Sequence, residues 1–371
     1  MSLIHIIESA PFRAFQRFNA ALQSPFLSGP LLAALALTPA DVKHDLLRQL
    51  PFLPAVVSVE LVEKAVRVLF GLGLVKTLNR ALSSLAANNY RLPTAAPGWD
   101  WPNEVAVVTG GASGIGQCIA RRLAARGVRV AVLDVQVPKI DDEKNKKNSN
   151  ISNDVDSLIR YYQCDVTSPD AVAAAADTVR AQLGHPTILV NNAGFVRPVS
   201  ILDAAHAYLQ KIFAVNTMSH WLTVQQFLPH MVRHNKGHVV TVASIASFVA
   251  LPKGADYSAT KAAALSFHES LACELKHLYK ADRVLTTVAH PNFVRTPLVQ
   301  DFGHQLEKGG VRMLTPDGVA ATITDQIFAR RAAQLIIPEH QAVICGLRGW
   351  PAWLQTFLRD QMGANAINVS V

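Results

Sequence analysis

The sequence predicts an α/β protein: a doubly wound parallel sheet with helices on both faces, preceded by a helical N-terminal extension. Three observations carry this. From Val105 onward, short apolar runs alternate with longer helical patterns, the rhythm of strands buried on both faces. A glycine-rich turn, Thr109 to Gly116, falls between the first apolar run and the first helical pattern. The first hundred residues show neither feature.

The extension is read as residues 1–92. Phe18 to Ala40 carries no charge, yet Pro25, Pro30 and Pro39 interrupt it. A membrane-spanning helix needs about 20 continuous apolar residues, which this run does not supply. Further on, Leu61, Ala65, Val68, Leu69, Leu72, Val75, Leu78, Leu82 and Leu85 recur mostly every three or four positions, with Glu63, Lys64, Arg67, Lys76 and Arg80 among them. This predicts an amphipathic helix, broken at Gly71-Leu72-Gly73. Two uses fit it: packing on the chain's own second domain or a partner subunit, or lying in a membrane interface with basic groups at the headgroups. The length of apolar chain around it favours peripheral or monotopic membrane contact.

Residues 93–102 read as a linker and 103–346 as the main domain. Strands are predicted over Val105–Thr109, Val128–Asp134, Tyr161–Asp165, Thr187–Asn191, His238–Ala243 and Val284–Ala289, with a last strand over Ala342–Cys345. Helices are predicted over Ile115–Arg126, Pro169–Leu183 and Asp256–Tyr279. The polar tract 138–156 is a solvated loop insertion. Residues 347–371 hold a second amphipathic segment, Trp350 to Met362, and a tail.

Composition narrows the function. A hydrophobic fraction of 50% and a charged fraction of 17% describe an apolar globular protein. The net charge of +8 suits an anionic membrane surface or an acidic ligand. With no zinc-finger spacing and no arginine-rich arm, nucleic acid is not expected. The four cysteines, Cys118, Cys164, Cys273 and Cys345, form no C-x-x-C and read as reduced thiols of an intracellular protein. The thirteen histidines show no metal-binding spacing, so no metal site is predicted.

Chemistry concentrates in a few places. Glycines at 110, 114 and 116 between strand and helix let the backbone approach a pyrophosphate at a helix N-terminus. Asp134 ends the second strand, eighteen residues after Gly116, where a carboxylate accepts from adenosine ribose hydroxyls and repels a 2′-phosphate. No basic residue occupies Ala112 or Ser113. NAD is therefore favoured over NADP. Tyr257 and Lys261 are one helical turn apart and share a face. A cation close to a phenol lowers its pKa, which would make Tyr257 an acid/base near neutral pH. Taken singly, each has a duller reading: Asn191-Asn192 as a turn, Asn216 as a polar break in a helix, Ser244 as a cap, Asp165 as the N-cap of the helix at Pro169.

Together these motifs resemble those of the short-chain dehydrogenase/reductase family, over about Trp101 to Gly346. Thr109, Gly110, Ser113, Gly114, Ile115 and Gly116 lie in its T-G-x-x-x-G-I-G turn. Asp165-Val166 is similar to its adenine-holding pair, and Asn191-Asn192-Ala193-Gly194 to its N-N-A-G element. Asn216, Ser244, Tyr257 and Lys261 match its catalytic tetrad. The resemblance implies a Rossmann-type fold and a nicotinamide dinucleotide held by the glycine turn, Asp134, Asp165, Val166, Asn192, Ala193, Gly194, Tyr257, Lys261, Pro291, Val294 and Thr296. It implies Tyr257 as base, Ser244 bonding the substrate oxygen, Lys261 bonding the nicotinamide ribose and Asn216 positioning a water. It also implies a homo-oligomer. One departure is Pro291-Asn292, where the family has Pro-Gly; asparagine tolerates positive φ, so the turn is expected to survive.

The apolar extension and Asp134 are similar to the branch that includes retinol dehydrogenases and membrane-associated hydroxysteroid dehydrogenases. Leu298 to Leu314 is expected to close over a lipophilic alcohol, ketone or aldehyde. The expectation is hydride transfer between such a substrate and NAD(P), at a membrane of the endoplasmic reticulum or a lipid droplet. The alternatives are a soluble, cytoplasmic NADP-dependent reductase of small carbonyl metabolites and a dinucleotide-binding scaffold or sensor.

Overall fold

The structure, a computed structural model, describes residues 18–19, 21–48, 58–91, 98–136 and 152–366. The chain forms two compact units, Leu3–Tyr90 and Arg91–Val371.

In the first unit, helices α1 (Pro25–Leu37) and α2 (Ala40–Arg48) precede α3 (Val59–Ala87). The predicted break in α3 is absent; the helix runs through Gly71-Leu72-Gly73. The glycine serves packing instead. A Cβ on Gly73 would stand 1.8 Å from the carbonyl oxygen of Gln23, so only glycine admits the chain entering α1. Val59, Val66 and Gly73 form the buried side of α3. Leu61, Val68, Leu72, Val75 and Leu82 lie elsewhere on the helix and are exposed. The helix is thus apolar on two sides, one of them covered. Lys43 of α2 bonds Glu63 of α3 at 2.7 Å.

The second unit is built on a seven-stranded parallel sheet of order β3-β2-β1-β4-β5-β6-β7. The strands are β1 (Val105–Thr109), β2 (Arg129–Asp134), β3 (Ile159–Gln163), β4 (Ile188–Asn191), β5 (Gly237–Val242), β6 (Val284–Pro291) and β7 (Ala333–Ile337). The order reverses between β1 and β4, where crossovers diverge to opposite faces and a crevice opens above the strand ends. Helix α4 (Gly114–Ala124) joins β1 to β2, and the short α5 (Ser152–Ser157) precedes β3. Helix α6 (Pro169–Leu183) joins β3 to β4, and α7 (His206–Phe213) runs through a π-helical turn, Ala214–Met218, into α8 (Ser219–His234). Helix α9 (Ala255–His277) joins β5 to β6; α10 (Gln300–Lys308) and α11 (Pro316–Phe328) lead to β7.

Each face has its own core. Val107, Ala131, Leu189 and Val239 pack under α6, α8 and α9 with Phe227, Met231 and Leu271. Val108, Val132, Val190 and Val240 pack under α4 and α11 with Ile119, Leu123 and Ile323. Alternate residues of one strand supply opposite cores, which is why the strands read as unbroken apolar runs.

Three expectations need correction. The segment predicted as the last strand, Ala342–Cys345, is a helical turn, α12, and the last strand is β7. Its β-branched Val343 and Ile344 suit a strand, but β7 already pairs with β6, and 342–345 closes on itself through Gly346 N to Val343 O. The insertion read as 138–156 is helical from Ser152; residues 137–151 lie outside the described residues, as do 92–97 of the predicted linker. Strand β3 begins two residues earlier than predicted, at Ile159. The C-terminal amphipathic segment is helix α13 (Ala352–Ala366), with Trp353 and Phe357 exposed.

Candidate active site

The glycine turn and the loop after β4 are stitched together at the crevice. Asn192 Nδ2 donates to Thr109 O at 3.0 Å and Gly110 O at 2.9 Å. Thr109 Oγ1 accepts from Asn192 N and Ala193 N, both at 3.0 Å. The fit depends on missing side chains: a Cβ on Gly116 would meet Gly110 O at 2.3 Å and Asn192 Nδ2 at 2.5 Å, and Gly110 holds φ +63°. Helix α4 begins here with no acidic residue in its first turn, and the exposed Ser113 at its N-cap makes no capping bond. The backbone N–H groups and dipole of such a terminus favour an anion. Ile115 packs its side chain into the core beneath. Thr296 lies against Gly114 from the far side, with its side chain about a methyl's width away.

Asp134 sits at the end of β2, its Oδ2 accepting from Ala112 N at 2.9 Å and Oδ1 from Gln136 N at 3.0 Å. These bonds fix the carboxylate at the edge of the glycine turn and leave lone pairs for ribose hydroxyls. Asp165 accepts from Thr167 N and Oγ1; it is Ser168, not Asp165, that caps α6. Val166 beside it is buried. Pro291 ends β6, and the buried Val294 pairs with Leu314 in an isolated bridge. Asn292 does not take a positive φ. Its amide instead bonds Gln341 at 2.8 Å, so the departure from Pro-Gly supplies a bond rather than tolerating strain.

The four predicted catalytic residues lie on the π turn, the end of β5 and α9. Asn216, fully buried, donates to Phe195 O at 2.9 Å and accepts from Phe195 N at 2.9 Å. Its amide also reaches Thr260 Oγ1 at 3.2 Å. Its side-chain amide therefore clamps the loop after Gly194. Lys261 is buried and donates to Val242 O at 3.0 Å. A Cβ on Gly194 would stand 3.3 Å from Asn216 Oδ1 and 3.5 Å from Lys261 Nζ, so both residues converge there. Lys261 Nζ lies 5.7 Å from the Tyr257 ring centre. Ser244 Oγ accepts from Ala246 N at 3.1 Å and faces Pro291 O at 3.3 Å.

The electrostatics differ from the expectation. Burial pushes the Tyr257 phenol up to about 12, against a hydrogen bond from Ser244 that pulls it down. Burial brings the Lys261 ammonium down to about 8. Desolvation of the anion, the largest influence on the phenol, sets the direction of its shift.

Several supporting residues were not foreseen. His290 Nδ1 bonds Ser244 O at 3.0 Å while Gln334 approaches its Nε2 at 3.3 Å, so Nδ1 carries the proton and steadies Ser244. Phe248 packs on that ring. Across the crevice, Val299, Phe302 and Leu306 of the 298–314 segment form an apolar cluster with Val196, Phe293, Val311 and Met313. Backbone bonds between Leu314 and both Phe293 and Arg295 pin the base of this segment. His290, Gln334 and Phe248 carry no short motif and only the topology brings them to Ser244, whereas the apolar cluster falls on the segment expected to close over substrate. Among the described residues no cluster of His, Cys, Asp or Glu could hold a metal.

The family profile described as "short chain dehydrogenase" matches residues 104–307. The chain is 39% identical over 223 residues to Dehydrogenase RED2 of Cochliobolus heterostrophus, covering 59% of this chain and 79% of that protein. It is 29% identical over 279 residues to Retinol dehydrogenase 10-B of Danio rerio, covering 71% and 80% respectively. Its fold is that of a 3-ketoacyl-(acyl-carrier-protein) reductase from Brucella melitensis complexed with NADH, with TM-score 0.54 and 24% identity over 64% of this chain and 98% of that one.

Substituting Gly116 by Ala should weaken NADH binding at least about tenfold, since the added methyl must part the two loops that form the cradle; fluorescence titration with NADH measures it, and unchanged affinity would remove the cradle from the cofactor site. A second expectation concerns the buried histidines. Burial holds His220, His238 and His268 down to about 3 and His290 to about 4. The unfolded chain takes up protons near pH 6.5 that the fold refuses, so stability is full above that pH and falls as pH drops toward the folded values. The Tm should fall by about 5 °C or more between about pH 7 and pH 5; a flat calorimetric profile would mean these rings are already charged in the fold.

Proposed function

The chain belongs to the short-chain dehydrogenase family, and from that premise we propose that it transfers hydride between NAD and a lipophilic alcohol or carbonyl at a membrane surface. As a member of this family it is an oxidoreductase that uses a nicotinamide cofactor. The convergence of Asn216, Ser244, Tyr257 and Lys261 beside the glycine cradle is the observation that carries the reading.

The residues present fit the cofactor: the glycine positions leave no room for side chains, α4 offers its N-terminus, and Asp134 stands at the ribose end. A bound nicotinamide supplies the hydride chemistry. Tyr257 supplies the proton. Burial favours its protonated form, the form that donates to a carbonyl oxygen, while alcohol oxidation needs the phenolate and rises with pH. Ser244 holds the substrate oxygen where charge develops. Asn216 fixes the Gly194–Phe195 loop against which the substrate packs. The buried Lys261, held by Val242 O, places its positive end beside Gly194 on the cofactor side.

Three further points support the substrate and place. The apolar cluster of Val299, Phe302 and Leu306 with Phe293 and Met313 suits a lipid-like body. A relative in the family carries retinol in its name. Helix α3 exposes Leu61, Val68, Leu72, Val75 and Leu82 beside Lys64, Arg67, Lys76 and Arg80, which suits an interface-lying segment. No helix among the described residues is long and apolar enough to cross a membrane. The proposal extends to the surface of the endoplasmic reticulum or a lipid droplet. It also extends to a homo-oligomer, for which the apolar groove of Leu209, Phe213 and Met218 beside the exposed Trp221 offers a surface.

Nicotinamide absorbance with a panel of retinoids, steroids and fatty alcohols, using both NAD and NADP, tests the reading. Turnover should favour NAD, and Tyr257→Phe should lower it by about 10²–10⁴-fold while NADH still binds. A chain that binds NADH but turns over nothing on the panel would instead be a dinucleotide-binding scaffold. Deleting residues 1–92 should release the protein from anionic vesicles; binding that survives the deletion would place the membrane contact elsewhere.

A further inference from the structure

A second polar layer lies beneath the catalytic cluster, on the face of the sheet covered by α8 and α9. Asn191, His220, Thr223, Thr241 and His268 are all buried there, in a core otherwise made of groups such as Val224, Phe227 and Phe267. Asn191 and Thr241 face each other in the register of β4 and β5. Thr223 Oγ1 donates to Asn191 Oδ1 at 2.7 Å, and His268 Nδ1 meets Thr241 Oγ1 at 3.0 Å. The His220 ring packs on Phe267, 5.7 Å between centres.

Three polar atoms of this layer have no partner among the described residues: Asn191 Nδ2 and both ring nitrogens of His220. His220 is 1% exposed, and so is Asn191. A neutral imidazole carries one donor and one acceptor, and an amide nitrogen carries two donors. Buried groups of this kind are satisfied by ordered water when the protein does not reach them. The position is not remote from the chemistry. His220 follows Asn216 by one turn, and Asn191 precedes Gly194, where Asn216 and Lys261 converge, by three residues. The Lys261 charge is near enough to oppose protonation of His220.

We propose that His220 and Asn191 hold an ordered water under the catalytic cluster, and that His220 is thereby a positioning residue for Lys261 and Asn216. This rests on reading Asn216, Ser244, Tyr257 and Lys261 as the active centre. The water keeps the inner side of Lys261 polar. Filling the layer with carbon deepens the desolvation of the ammonium and lowers the pH at which its charge is lost. The other titratable groups that bear on this site are Tyr257 and His268 on α9 and His290 on β6, and burial keeps the imidazoles of His220, His268 and His290 neutral.

A high-resolution crystal structure of the full chain, with kinetics of His220→Phe and His220→Gln across pH, tests this. A water should lie within hydrogen-bond reach of Asn191 Nδ2 and a His220 nitrogen. His220→Phe should lose about tenfold in kcat with little change in the cofactor KM, its basic pH limb moving down by about one unit, and His220→Gln should recover most of the loss. A folded Phe variant with the wild-type kcat and pH limb overturns the proposal, as does clear density with no water there. If the Phe variant does not fold, the presence or absence of the water decides. A wild-type chain inactive with every substrate and both cofactors would sink the functional reading, and the water would still be found or missing independently.

Discussion

The bonds between Asn192 and the glycine turn are the constraint on which the rest of the site depends. Two separate crossovers, after β1 and after β4, reach the same point above the sheet and have to be held there. Asn192 Nδ2 spends both its donors on Thr109 O and Gly110 O, and Thr109 Oγ1 receives two backbone N–H groups in return. Buried polar groups of the two loops thus satisfy each other, and the arrangement is intolerant of a single added methyl at Gly116. The consequences run outward in both directions. On one side the cradle at the N-terminus of α4 is fixed. On the other, Gly194 is set where Asn216 and Lys261 approach it, so the cofactor turn and the proton-handling residues share one anchor.

Much of this was legible in the residues. The identity of β1, β2 and β4 followed from apolar runs, because a strand covered on both faces has no polar side to show; the edge strand β3 mixes polar and apolar residues and its bounds read two residues late. The tetrad and the glycine turn were legible because each needs particular residue types at fixed spacing. What spacing could not show was which contacts those residues would choose. Asn216 reads as a polar residue within a helix, and only the π turn reveals that its amide faces the backbone of Phe195. Gly71 and Gly73 read as a helix break, since propensity alone disfavours glycine there. At Gly73 a tertiary contact, the Gln23 carbonyl, overrides that preference; Gly71 has no neighbour that requires it. The last strand was displaced for a similar reason: Ala333–Ile337 and Ala342–Cys345 carry comparable apolar content, and pairing with β6 chooses between them.

The histidines mark the clearest limit of sequence reading. Counted for metal-ligand spacing they say nothing, yet four of them are buried and neutral, spread over α8, β5, α9 and β6. Each except His220 finds a protein partner: Thr287 for His238, Thr241 for His268, Ser244 O for His290. An imidazole at these positions offers both a donor and an acceptor without a charge, which a carboxylate or a lysine cannot do. The result is a polar interior around Lys261 that brings little counter-charge to it.

That interior bears on how Tyr257 is tuned. Had the lysine sat against the phenol with open water around both, its charge would have pulled the tyrosine down, as the helical spacing suggested. Instead Lys261 turns to Val242 O, burial raises the phenol, and Ser244 alone draws it back. Burial therefore favours the protonated phenol, and in the proposed reaction what draws its proton off is positive charge on the cofactor side of Gly194 or negative charge developing on a substrate oxygen held by Ser244. On that proposed reading the acid stays loaded until substrate and cofactor act on it. The low dielectric that opposes the phenolate would equally strengthen the contacts made to a developing charge in the proposed transition state.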